Sequence, residues 1–159
     1  MGKSRVLFAS AAVVAAGIGV GGVATAHGSH SHFHVRLNGA QETPPADPDG
    51  RATADLRIDT NSGQICWELR YSRIGQPTMA HIHKQVRGVP GPIVVFFFAN
   101  ATHPLPDVDA LESGHVDGCT PDGEVAPTLA QDIAAHPDQY YVNIHNARFP
   151  AGAVRGQIR

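Results

Sequence analysis

The amino-acid sequence predicts an all-β fold, an antiparallel β-sandwich or Greek-key barrel of about eight strands with one short helix. Three observations carry that expectation. Apolar and polar residues alternate over run after run, as half-buried strands require. Stretches rich in Gly, Pro, Asn and Asp punctuate those runs. Helix start and stop signals coincide at a single place, where Thr128 and Gln131 form a capping box and Pro137 ends the segment.

The first 26 residues stand apart from the fold. Lys3 and Arg5 precede the apolar or small-residue stretch from Val6 to Val23, and Ala24-Thr25-Ala26 is an A-x-A cleavage signal. This reads as a signal peptide over residues 1–26, cut ahead of His27, and hence a protein that is secreted or held in the cell envelope. An uncleaved anchor is the rival reading, but the Gly and Ala content and the A-x-A favour cleavage, with no stable membrane insertion afterwards. The mature chain then carries ten basic residues against fourteen acidic ones, since the leader holds Lys3 and Arg5 and no acid. That balance gives no footprint for nucleic acid, and no basic amphipathic helix points to a membrane surface.

All ten histidines lie after the leader. Four crowd into His27-Gly28-Ser29-His30-Ser31-His32-Phe33-His34. A cleaved terminus at His27 offers an α-amino group beside an imidazole, a pair that chelates copper. The plainer reading, preferred here, is a flexible His-rich tail over residues 27–32 that scavenges divalent metal weakly.

The domain proper runs over residues 33–159. Phe33-Val35-Leu37 alternates with His34 and Arg36 as a first strand. The loop Asn38 to Pro45 is stiffened by two prolines. Ala52-Ala54-Leu56-Ile58 and Ile65-Trp67-Leu69-Tyr71 flank a turn at Asp59–Gly63 and form a hairpin, with Trp67 in the core. Met79 to Lys84 is the next strand, and Pro92 to Phe98 is an apolar run fit for burial on both faces. Residues 99–112 read as a long loop containing the glycosylation sequon Asn100-Ala101-Thr102. A short strand over 113–117 leads to Cys119. After the helix, in which Leu129, Ile133 and Ala134 face the core, come strands Tyr140–His145 and Ala153–Arg159.

Cys66 and Cys119 are the two cysteines, and in an oxidising compartment they pair. The bridge closes a loop of about 54 residues, worth about 4 kcal/mol in the chain-entropy model. No Cys-x-x-Cys exists to support zinc-finger or thioredoxin chemistry.

Four separated segments together resemble one family. They are Asn38-Gly39-Ala40-Gln41-Glu42-Thr43-Pro44-Pro45, Ala80-His81-Ile82-His83, Tyr141-Val142-Asn143-Ile144-His145 and Pro150 to Ile158. Their order and content are similar to the CHRD domain, found in chordin and in secreted bacterial proteins. Ala153 stands where the family pattern carries an acidic residue, and the Cys119 loop is an elaboration. The resemblance implies an all-β extracellular domain and brings no settled activity.

Alternation along Met79–Lys84 puts His81 and His83 on one strand face, and His145 offers a third imidazole. One reading makes the three a copper or zinc site with an open position, with Glu42 as a fourth ligand or as the partner fixing a tautomer. The other makes them a buried polar network bonded to Glu42, Asn143 or backbone carbonyls. Arg155 and Gln157 share a face of the last strand and are assigned to hold Glu42 and a neighbouring loop. His-x-His in a disulfide-bearing β domain is similar to copper–zinc superoxide dismutase, but residues 84–102 hold no His, Asp or Glu for a second metal. With no Gly-x-Ser-x-Gly and no His-Glu-x-x-His either, the chain reads as no enzyme. It reads instead as a binding or structural module for an unknown extracellular ligand or protein. The runner-up is a copper- or zinc-binding protein, and adhesion through the Pro-rich loops is a third option.

Overall fold

The computed structural model describes residues 29–99 and 103–159. The leader, the proposed cleavage point with His27, and the sequon at 100–102 lie outside the described residues. Among the described residues there are eight strands: β1 (His30–Asn38), β2 (Arg51–Asp59), β3 (Ile65–Ser72), β4 (Pro77–Lys84), β5 (Ile93–Phe98), β6 (His115–Cys119), β7 (Tyr140–Asn146) and β8 (Val154–Gln157). Helix α1 (Val108–Glu112) precedes β6 and helix α2 (Pro127–Ala135) follows it. All eight strands belong to one antiparallel sheet in the order β5-β4-β7-β8-β1-β2-β3-β6. The sheet curls into a nearly closed barrel, so the barrel form of the expected fold is the one adopted.

Closure is made by side chains. Trp67 on β3 stacks on Phe97 of β5 with ring centroids 5.1 Å apart, and tilts against Phe98 at 6.0 Å. Trp67 reaches them by passing over Gly118, where an added Cβ would stand 2.7 Å from the indole ring. Inside, Val35, Leu37, Ala54, Leu56, Ile58, Ile65, Leu69, Ala80, Ile82, Val142, Ile144 and Val154 make one buried cluster. These are the alternating positions of the sequence, and each carries its polar neighbours to the other face. The hairpin β2–β3 pairs in full register from Arg51↔Ser72 to Ile58↔Ile65. Cys66 and Cys119 face each other across β3 and β6 and are joined by a disulfide.

Four local expectations change. The strand β1 begins at His30, so His30 to His32 are not tail residues: His30 pairs with Asp59 and His32 with Arg57. The segment expected as a loop contains α1, whose Leu111 is buried and whose carbonyl accepts from the Tyr71 hydroxyl at 2.6 Å. The helix α2 starts with Pro127 rather than at a Thr128 cap, and no side chain caps it. Pro is suited to the first helical position because its missing N–H needs no partner there. Gln131 donates instead to the Thr60 carbonyl at 2.9 Å, tying α2 to the β2–β3 turn. Ala130 and Ile133 are the buried helix residues, with Leu129 packed against the core at its edge. The short strand expected over 113–117 lies two residues later, ending at Cys119 itself.

Candidate metal centre

The site forms on the face of β4, β7 and β8 that looks away from the barrel core. On β4, Ala80 and Ile82 point inward, which leaves His81 and His83 on the opposite face. Antiparallel pairing with β7 sets Met79 opposite His145, His81 opposite Asn143 and His83 opposite Tyr141. Pairing of β7 with β8 then adds Arg155 beside Asn143 and Gln157 beside Tyr141. The three histidines proposed from sequence therefore meet, although His145 lies more than sixty residues after His81. One ring nitrogen from each lies within 4.8 Å of the others. All three are buried, with His81 only 1 % exposed.

The hydrogen bonds fix which nitrogens are free. His83 Nδ1 donates to the Gly91 carbonyl at 2.8 Å, and His145 Nδ1 donates to the Pro150 carbonyl at 3.0 Å. A carbonyl only accepts, so each neutral ring carries its proton on Nδ1 and a lone pair on Nε2. His145 Nε2 has no hydrogen-bond partner, and neither has either nitrogen of His81. His83 Nε2 stands 3.0 Å from the Asn143 side-chain amide. Since that nitrogen is unprotonated, the amide must turn its NH₂ toward it.

Burial keeps all three imidazoles neutral. It pushes His81 down to about 3, helped by the neighbouring His145 and His83 and partly opposed by Asn143. His83 and His145 are lowered for the same first reason, partly opposed by the carbonyls that hold them. Neutral imidazole is the form that binds a metal.

Glu42 comes from the Pro-rich loop between β1 and β2. Its carboxyl lies against Gly152 and is pushed up to about 7 by burial, against the pull of Arg155 and of hydrogen bonds from Asn143 and the Thr43 backbone. It stands outside the ligand cluster formed by His81, His83 and His145, so it adjoins the site through Asn143 rather than as a fourth ligand.

Arg155, 2 % exposed, does not clamp Glu42 in a bidentate pair. Its guanidinium donates to the carbonyls of Val89 and Val86, each at 3.0 Å, and lies 3.4 Å over the Tyr141 ring. Tyr141 in turn stacks on His83 at 4.7 Å with planes 5° apart. Gln157 donates to the Gln85 carbonyl at 2.9 Å. The Gly91 N–H donates to the Tyr141 hydroxyl at 3.1 Å. Together these groups pin loop 85–92 over the histidines. The sequence did place Arg155 and Gln157 against a loop, but it missed Tyr141, Gly91 and Pro150. Tyr141 could have been found, because it shares the alternation of Asn143 and His145. The two backbone carbonyls leave no signal in residue identity.

What the cluster offers is three unprotonated ring nitrogens close together in a buried space, those of His81 and His145 without a partner and that of His83 held by Asn143, whose amide must yield to an ion. A tetrahedral centre with nitrogen ligands at about 2.0–2.1 Å sets them about 3.3 Å apart, so the rings need to close by no more than about 1.5 Å. The Nδ1–H bonds to backbone carbonyls are the outer contacts that metal-binding histidines generally make.

Among the described residues no helix is long and apolar enough to cross a membrane. No curated protein and no solved structure gives a significant match to the chain. The model of the CHRD domain matches residues 33–158, a span that takes in every residue of the histidine site and reaches from β1 through β8. The chain belongs to the CHRD-domain family.

Proposed function

We propose that this is an extracellular CHRD domain, exported by its N-terminal signal peptide, whose His81, His83 and His145 hold one copper or zinc ion. It acts as a binding module and not as a catalyst. One observation carries the metal reading over a purely structural network: buried nitrogens of His81 and His145 have no hydrogen-bond partner. A network kept for stability satisfies its buried polar groups, because each one left bare costs about 1–3 kcal/mol. An ion coordinated by the three imidazoles removes that cost at His81 and His145. Export agrees with the Cys66–Cys119 disulfide, which persists in oxidising compartments.

The N-terminal histidines must be silenced before the site is assayed. Deleting residues 27–32 would cut into β1, which starts at His30, so replacing His27, His30, His32 and His34 by Ser is the cleaner background. That protein should bind one Cu²⁺ or Zn²⁺ per chain at neutral pH by calorimetry and elemental analysis, and His83→Ala should abolish it. Loss of all stoichiometric binding in the Ser background, with His83 intact, would assign the metal to the N-terminal segment and return the triad to a structural role.

A further inference from the structure

The cluster of His81, His83 and His145 supplies three nitrogens, and no fourth His, Cys, Asp or Glu ligand joins them among the described residues. The flanks of the triad are largely accounted for. Phe96 of β5 lies edge-on to His81 at 4.9 Å, Asn143 stands opposite His81, and Tyr141 stands opposite His83. The position opposite His145 belongs to Met79. Met79 is also two residues before His81, on the same strand face as His81 and His83. Directly opposed residues of antiparallel strands have Cβ atoms about 4.5–5.5 Å apart. A methionine side chain, unbranched and with three rotatable bonds, spans that distance easily. Met79 is half-buried, while the three histidines are buried.

We propose that Met79 supplies a thioether as the fourth ligand, and that the site therefore prefers copper(I) to zinc. This rests on the metal reading above and adds the identity of the ion. A thioether is a soft donor that selects Cu(I), whereas zinc sites are built from thiolate, imidazole and carboxylate. Three imidazoles alone would serve either ion; the sulfur breaks the tie.

The test uses the mature chain with the four N-terminal histidines replaced by Ser, with and without Met79→Leu, a swap that keeps volume and apolarity. Cu(I) affinity is measured under reducing, anaerobic conditions against a chromogenic Cu(I) chelator, and Zn²⁺ affinity by a parallel competition. Met79→Leu should lower Cu(I) affinity by at least about tenfold, the scale on which losing one contact of a metal site is felt, and leave Zn²⁺ affinity within about twofold. X-ray absorption of the Cu(I) protein should show a sulfur neighbour that the variant lacks. Equal Cu(I) affinity in both proteins, or a shell of nitrogen only, overturns the role of Met79. Should His83→Ala still abolish binding in that case, the metal site stands and only the choice of ion falls. If neither ion binds the protein that retains Met79 and His83, both proposals fall together.

Discussion

Glu42 and the three histidines depart from their ordinary titration in opposite senses, and stability should record both. The imidazoles titrate below 6.5 because burial disfavours their charge. As pH falls below 6.5 the unfolded chain therefore binds protons that the folded chain refuses, and the fold loses stability. Glu42 acts the other way. With its carboxyl raised from 4.5 to about 7, it is the folded state that holds the extra proton. Its contribution is complete below pH 4.5 and is lost as pH rises to about 7. Glu42→Gln copies the protonated shape and cannot ionise. In metal-free protein the variant should gain on the parent by on the order of 2–3 kcal/mol as pH rises from 4.5 to 7, read from urea melts at a series of pH values. A difference that stays flat across that window would mean that the folded protein holds Glu42 ionised.

The loop over residues 85–92 is an element with no regular structure of its own, and its shape comes from what β7 and β8 present to it. Gly91 is the tightest point. A Cβ there would overlap the Lys84 carbonyl and the Gln85 side chain, so Gly91→Ala must move the carbonyl that holds His83 Nδ1. Metal affinity should fall about tenfold with the barrel still folded, the usual cost of losing a contact that orients a ligand. Arg155→Met removes the donors to Val86 and Val89 and the cation over Tyr141. It should lower stability by roughly 1–3 kcal/mol for the buried groups left unsatisfied. Hydrogen exchange should quicken at residues 86–91 and not in β1–β3; protection that spreads its loss evenly over the sheet would refute the loop-clamp role. The physics of alternation explains what could be read in advance here. Period-two patterning assigns a face to every strand residue, so His81 and His83 were legible as a pair and His145 as their complement. Pairing order is not local, so which strand would lie beside β4 was beyond the pattern; only the family resemblance tied His145 to the same motif set. The Gly91 and Pro150 carbonyls belong to backbone, which every residue has, and the helix α1 is too short at five residues to show a period.

At the scale of the whole barrel, the eight-strand count and antiparallel all-β character follow from the punctuated alternating runs, whereas the choice of one closed sheet over a two-sheet sandwich does not. It depends on Trp67 meeting Phe97 and Phe98 from the far edge of the sheet, a contact between strands that no sequence window contains. The disulfide and the histidine site sit in different parts of this closed sheet. Cys66 and Cys119 fasten β3 to β6 at one end of the strand order, and the histidines lie on β4 and β7, with β8, β1 and β2 between. The seam that brings the two ends together lies on the inner face, and the imidazoles are on the outer one. Stability and metal affinity should therefore separate. Replacing both cysteines by Ala frees a 53-residue separation in the unfolded chain and should cost about 4 kcal/mol in the chain-entropy model. Metal affinity of the variant, measured well below its melting temperature, should stay within about twofold of the parent, since mutations at distant sites without shared partners act independently. Gly118→Val gives the contrast, because it drives a side chain into the Trp67 ring and pries at the seam. If that change, too, lowers the melting temperature without touching metal affinity, the outer face is independent of how the barrel closes. A fall in affinity with either variant would show instead that the site needs the whole barrel drawn tight, and that the Phe96 edge packed on His81 transmits the seam's strain to the imidazoles.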